Sequence, residues 1–152
     1  MMEQAETALH ELYHVDETAW LDAMAERIGA GAYSELDYVS LREFLKDMSS
    51  RDRREVFSRL IVLLTHLLKW EHQPDRRSGS WRGTIREQRR ELQQLLTSGS
   101  LRNHAAQVFG DAYAEARSQA ADETELDVSV FPIENPWDLE AALAEDPGDS
   151  AA

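Results

Sequence analysis

The sequence predicts an all-α protein, an antiparallel bundle of about five helices with a short additional helix at the C-terminal end. Three observations carry this prediction. Apolar residues recur at intervals of three and four rather than two, Pro and Gly are scarce before Pro74, and one long stretch is apolar around most of its helical circumference. A helix of the last kind must be surrounded by other helices.

The first helix is expected from about Asp16 to Ile28. Leu21, Met24 and Ile28 share a face there, and Gly29 and Gly31 supply a C-terminal stop. Residues ahead of Asp16 add a short helical turn. A second helix begins near Asp37, with Tyr38, Leu41, Leu45 and Met48 in one stripe, and ends near Ser49. Ser40, three residues before Glu43, offers an alternative capping box. The third runs from about Ser50 to Gln73 and carries the encircling apolar set Val56, Phe57, Leu60, Ile61, Leu63, Leu64, Leu67 and Leu68. Pro74 stops it. After the turn from Asp75 to Ser80, a fourth helix carries Trp81, Ile85, Leu92 and Leu95 as far as Gly99, and so short a connection favours an antiparallel pair. The fifth spans Ser100 to about Asp122, where Leu101, Ala105, Val108, Ala112 and Ala116 form a face of small residues suited to close packing. From Leu126 to Ile133 helical rhythm is lost and an extended segment is expected, limited to a sheet edge by Pro132. Asn135 and Pro136 then read as an N-cap and first helical residue of a short helix through Trp137, Leu139 and Leu143.

With 152 residues, 42% of them apolar, the chain suits a single domain over residues 1–145, with residues 146–152 as a disordered acidic tail. The lack of cysteine excludes thiol catalysis, disulfide scaffolds and cysteine-ligated metal sites. Met1 to His10 holds no Lys or Arg, so it lacks the basic region of a secretory signal, and Leu60 to Leu64 is the longest unbroken apolar run. A bilayer span needs about 20 apolar residues. The expectation is a cytoplasmic protein with no membrane partner.

The net charge of −13 argues against a general polyanion binder. Charge is unevenly placed: Arg51 to Arg90 holds eleven basic and five acidic residues, a local +6 inside a remainder of −19. Pairing of that basic hairpin with acidic neighbours explains the pattern better than nucleic-acid binding, because an acidic surround repels phosphates.

Two constellations bear on chemistry. His66 and Trp70 are four apart on the third helix, while Trp81, Ile85, Gln88 and Leu92 form an inward stripe on the fourth. A Gln88 amide among apolar neighbours needs a partner, since leaving it unsatisfied costs about 1–3 kcal/mol, and His66 or a facing backbone carbonyl is the expected one. Such a pair serves as a polar layer fixing helix register, or, in the sharper reading, as a ligand pocket with His66 as general base. The turn Arg76-Arg77-Ser78-Gly79-Ser80-Trp81-Arg82-Gly83-Thr84 leads into a helix N-terminus, where free N–H groups and guanidinium groups favour an anion. The simpler account makes Ser78 or Ser80 a helix cap, with the arginines paired to acids of the first or fifth helix. His66, Trp70, Arg76, Arg77, Ser78, Ser80, Trp81, Arg82, Thr84 and Gln88 therefore form the candidate ligand or anion site. His66, Glu71 and His72 have poor spacing for a shared metal, even with Asp16 or Asp37 as further donors, so neither metal nor cofactor is predicted. Nucleophile and nucleotide-binding fingerprints are lacking, which leaves nucleophilic, nucleotide-hydrolysing and dinucleotide chemistry without sequence support.

The run His66-Leu67-Leu68-Lys69-Trp70, then Gln73-Pro74, Arg76-Arg77-Ser78, Ser80-Trp81, Thr84-Ile85 and Gln88-Arg89, together with Leu12-Tyr13, Asp16, Trp20, Leu36-Asp37 and Leu41, resembles a family of bacterial proteins known as domain of unknown function 29. The resemblance covers about Leu12 to Leu143, with Glu17 and His72 standing where that family carries aromatic residues. It implies an all-helical bundle and supplies no substrate. The expected role is a non-enzymatic module that binds a protein partner or a copy of itself, with small-ligand or anion binding, catalytic or not, as the alternative.

Overall fold

In the computed structural model, residues 2–144 are described. The fold is all-α: helices α1 (Met2–Val15), α2 (Glu17–Gly29), α3 (Tyr38–His72), α4 (Gly79–Leu95), α5 (Gly99–Thr124) and α6 (Leu139–Leu143) follow one another, with 3-10 turns at Tyr33–Glu35, Pro74–Arg76 and Val128–Val130. No strand occurs among the described residues, and none of their helices is long and apolar enough to cross a membrane. The expected tail at 146–152 lies outside the described residues. Contacts divide the chain into two compact units, residues 1–50 and 51–152, with the boundary inside α3.

The first unit is built on Trp20. Its ring is fully buried and packs with Tyr13 and Met24, and Leu9, Leu12, Leu21, Leu36, Leu41 and Phe44 close around them. Ring centroids of Trp20 lie 4.8 Å from Tyr13 and 5.9 Å from Phe44, in tilted geometry suited to aromatic pairs. The short turn expected ahead of Asp16 is instead a full helix of 14 residues. Leu9, Leu12 and Tyr13 give it an apolar face, and that face acquires its value only by burial against α2. Asp16 joins the two helices: its backbone N–H donates to the Leu12 carbonyl at 2.8 Å, and its carboxylate accepts from Ala19 N at 3.1 Å as the N-cap of α2.

The second unit is built on the apolar length of α3. Val56, Leu60, Leu63, Leu64, Leu67 and Leu68 are buried against Ile85 and Leu92 of α4, Leu96 after it, Phe131, Leu143, and an alanine ladder of α5 at positions 105, 112, 116 and 120. Antiparallel pairing of α3 and α4 follows from register. Arg59 Nη1 donates to Gln88 Oε1 at 3.2 Å near one end, and Lys69 stands 4.9 Å from the Trp81 ring at the other. From α4, Arg89 Nε and Gln93 Nε2 donate to the Ala142 and Leu143 carbonyls at 2.9 and 3.0 Å, fastening the C-terminal end of α6.

Three further expectations about elements are corrected. The predicted second and third helices are one continuous helix of 35 residues. Ser49 and Ser50 resemble a stop and a start, but neither is Gly or Pro, and serine costs only about 0.5 kcal/mol relative to alanine inside a helix. Between Leu126 and Ile133 no strand forms: a 3-10 turn at Val128–Val130 interrupts the extended residues Asp127 and Phe131, and Asp127 accepts from Ser129 N at 2.9 Å, a bond that holds its carboxyl below the ordinary range. Asn135 does not open the last helix. Its side chain accepts from Trp137 N in a local turn, and Asp138 is the cap of α6, accepting from Ala141 N at 2.7 Å.

Candidate functional site

Sequence reasoning pointed to the turn between α3 and α4, and the structure draws several of those residues together. The Arg77 guanidinium carbon lies 4.9 Å from the Trp70 ring centre, and Arg77 Nε donates to the Trp70 carbonyl at 2.8 Å. Arg82 approaches the same indole at 5.4 Å. Lys69, the residue before Trp70, covers Trp81 and also donates to Glu123 of α5 at 3.2 Å. Two half-buried tryptophans thus carry three cations at cation–π distance. Ser78 is the cap of α4, its hydroxyl accepting from Trp81 N at 3.2 Å. Arg76 and Ser80 are exposed, and Thr84 is half-buried on α4.

The expected partnership of His66 with Gln88 does not form. His66 Nδ1 donates to the Val62 carbonyl, one turn back on its own helix, at 2.9 Å. Gln88 is satisfied by Arg59, itself held by Glu55 at 2.9 Å. Nor do the turn's arginines all seek acids as expected: Arg77 is engaged with Trp70, and the pairing to α5 comes from Lys69. His72 turns its ring to the edge of Phe131 at 5.4 Å. Among the described residues no group of three or more His, Asp or Glu is placed to hold a metal ion.

A second feature, missed by sequence reasoning, lies in the first unit. An open groove of about 450 Å³ is lined by Thr7 and His10 of α1 and by Leu36, Asp37, Tyr38 and Val39 at the start of α3. Its floor is fixed by a chain of hydrogen bonds. Asp37 is buried and caps α3, accepting from Ser40 N at 3.2 Å through Oδ1 and from the Trp20 indole at 3.3 Å through Oδ2. The buried Ser40 hydroxyl pairs with His10 Nδ1 at 2.9 Å, tying α1 to the first turn of α3. Beyond this rigid floor the apolar surface is open: Tyr38 is 57% and Val39 73% exposed, and Tyr33 nearby is 60% exposed. The Tyr38 hydroxyl donates to the Tyr33 carbonyl, which ties the Tyr38 ring to the backbone at Tyr33. The signal in the sequence was an unusual helix start, with Tyr38 and Val39 adjacent, so that one helical face cannot bury both.

Burial and acidic neighbours also mark the first unit electrostatically. Desolvation pushes the Tyr13 hydroxyl above its ordinary range, and Glu43, Asp47, Glu17 and Asp37 push it further the same way.

A family model described as Domain of unknown function DUF29 matches residues 12–146, most of the chain. The chain belongs to the DUF29 family. No curated protein and no solved structure matches it. Within this DUF29 chain, the Trp70–Arg77–Arg82 cluster falls inside the matched segment, as do Leu36, Asp37, Tyr38 and Val39 of the groove. Thr7 and His10, the opposite wall, precede it.

Proposed function

We propose that this DUF29 protein is a non-enzymatic interaction module of the cytoplasm, and that it binds a protein partner at the groove of its first unit. The observation that carries the reading is the exposed pair Tyr38 and Val39 beside a groove whose floor is held rigid by the Asp37–Trp20 and Ser40–His10 bonds. Apolar surface kept in water on a preorganised support is what a contact surface needs, because little order is lost when the partner arrives. At the α3–α4 turn the side chains have partners of their own: Ser78 Oγ caps the helix and Arg77 lies against Trp70. That arrangement supports a structural clasp there more than an anion cradle.

The test places a photo-crosslinking residue at Val39 in the full chain, inside the cell that makes it, with Arg86 of α4 as an exposed control. A discrete adduct at Val39 and not at Arg86 is expected, and the adduct protein, once purified, should bind the chain with an affinity reduced about tenfold or more by Val39→Lys, the loss typical of a contact at an interface centre. Equal labelling at both positions, or binding indifferent to Val39→Lys, overturns the proposal.

A further inference from the structure

Charge points to the chemistry of the partner. Residues 1–50 hold eleven acidic and three basic residues, a net of −8, so well over half of the chain's −13 resides in this third of its length. Glu11 and Glu35 are exposed and adjoin lining residues in sequence, while Asp37 faces the groove itself; Arg or Lys is lacking among the lining residues. The groove walls are apolar where Leu36, Tyr38 and Val39 stand. A volume of about 450 Å³ accommodates a few aliphatic side chains rather than a folded domain.

We infer that the occupant is a basic amphipathic helix, with aliphatic side chains at helical spacing set between α1 and the start of α3 and Lys or Arg on its flanks matched to the net negative charge of residues 1–50. This inference rests on the groove being a contact surface. The physical grounds are two. An apolar slot beside a helix accepts anchors repeating at i, i+3 or i+4, and i+7, which a strand cannot present on one face. An unbalanced negative surface repels acidic partners and draws basic ones, which sets which helix is chosen and how fast it arrives more than how tightly it holds.

The test uses fluorescein-labelled synthetic peptides of about five helical turns, roughly 18 residues. One carries a Leu stripe with Lys and Arg elsewhere, the second replaces the basic residues by Glu, and the third scrambles the first. Anisotropy titration with the full chain is expected to show binding by the first peptide, weakened about tenfold or more when salt shortens the screening length from about 10 Å to about 3 Å. Binding by the scrambled or acidic peptide should be weaker by a similar factor. Val39→Ser, an exposed position, should reduce binding by the first peptide while leaving the helical circular dichroism unchanged. Equal binding by the scrambled peptide overturns the inference, because charge alone then suffices; equal binding by the acidic peptide, or no effect of Val39→Ser, overturns it too. Sedimentation of the chain alone closes the remaining route. Self-association abolished by Val39→Lys makes a second copy the occupant and rejects the basic helix. If the basic peptide fails while the Val39 crosslink persists, the inference falls and the module reading stands; loss of both removes both.

Discussion

Asp37 does three jobs at once, and each is visible at the scale of single atoms. One oxygen caps α3, the other accepts from the indole of the fully buried Trp20, and the residue lies on the groove floor. Replacing it by Ala leaves a helix N–H and a buried indole N–H without acceptors. A lost cap costs about 1 kcal/mol and an unsatisfied buried donor about 1–3 kcal/mol, so Asp37→Ala should cost roughly 2–4 kcal/mol. Asp37→Asn keeps the capping oxygen but turns a donor NH2 toward the indole, so it should cost about 1–3 kcal/mol, less than Ala by the value of the cap. Urea denaturation at constant slope measures both, and equal costs for Ala and Asn sink the hydrogen-bond account. Tyr13 supplies a pH prediction. Its folded hydroxyl is pushed above the value near 10 of an unfolded tyrosine, first by burial and then by Glu43, Asp47, Glu17 and Asp37. The folded state therefore retains a proton that the unfolded state releases, so this contribution is complete below pH about 10 and is lost as pH rises through the higher folded value. Comparing thermal stability of the wild-type chain and Tyr13→Phe from neutral to alkaline pH should show a shallower alkaline decline in the variant, with no difference in slope near neutrality. Parallel profiles would contradict the proposed linkage.

At the scale of elements, the decisive feature is α3. Its 35 residues cross the boundary between the two units without a break, although Ser49 and Ser50 mark the place where sequence rhythm suggests two helices. A proline at Ser50 removes one hydrogen bond and clashes with the carbonyl four residues earlier, at a cost of about 3 kcal/mol or more inside a helix. In a true helix start it would cost almost nothing. Ser50→Pro should therefore lower the urea midpoint strongly and Ser50→Ala should raise it slightly; a tolerated proline would mean that two helices meet there. The other elements were legible to different degrees for reasons that can be named. The start of α4 was readable because Ser78 caps it through a local bond to a residue three positions on. The full length of α1 was not, because its helicity depends on burying Leu9, Leu12 and Tyr13 against residues of other elements. The turn at Val128–Val130 was misread because alternating valines carry the same pattern whether a strand pairs or a 3-10 turn leaves them half exposed. The candidate site divides in the same way. Trp70 with Arg77 is a near-neighbour arrangement across one tight turn and lay within reach of sequence reasoning, whereas Thr7 and His10 meet residues 36–39 only through the packing of α1 against the start of α3.

For the molecule as a whole, charge is the controlling quantity. The chain carries −13, and an ion pair such as Arg102 with Glu140 is exposed. Exposed pairs contribute about 0–1 kcal/mol each, which does not offset the self-repulsion of an acidic chain. Added salt should therefore stabilise the fold. Raising ionic strength from about 0.01 M to about 0.15 M shortens the screening length from about 30 Å to about 8 Å, and the melting temperature should rise by a few degrees, the shift expected for about 1 kcal/mol at this chain length. A fall would show that attractive pairs dominate. The sequence alone determined the fold class, the apolar core of α3 and the alanine face of α5, because burial at helical spacing is a local pattern written into consecutive residues. Tertiary structure alone decided that Arg59 rather than His66 satisfies Gln88, that α3 is unbroken, and that a groove opens beside Tyr38 and Val39. Those outcomes depend on which side chains arrive from elsewhere in the chain, and spacing along a single helix holds no record of that.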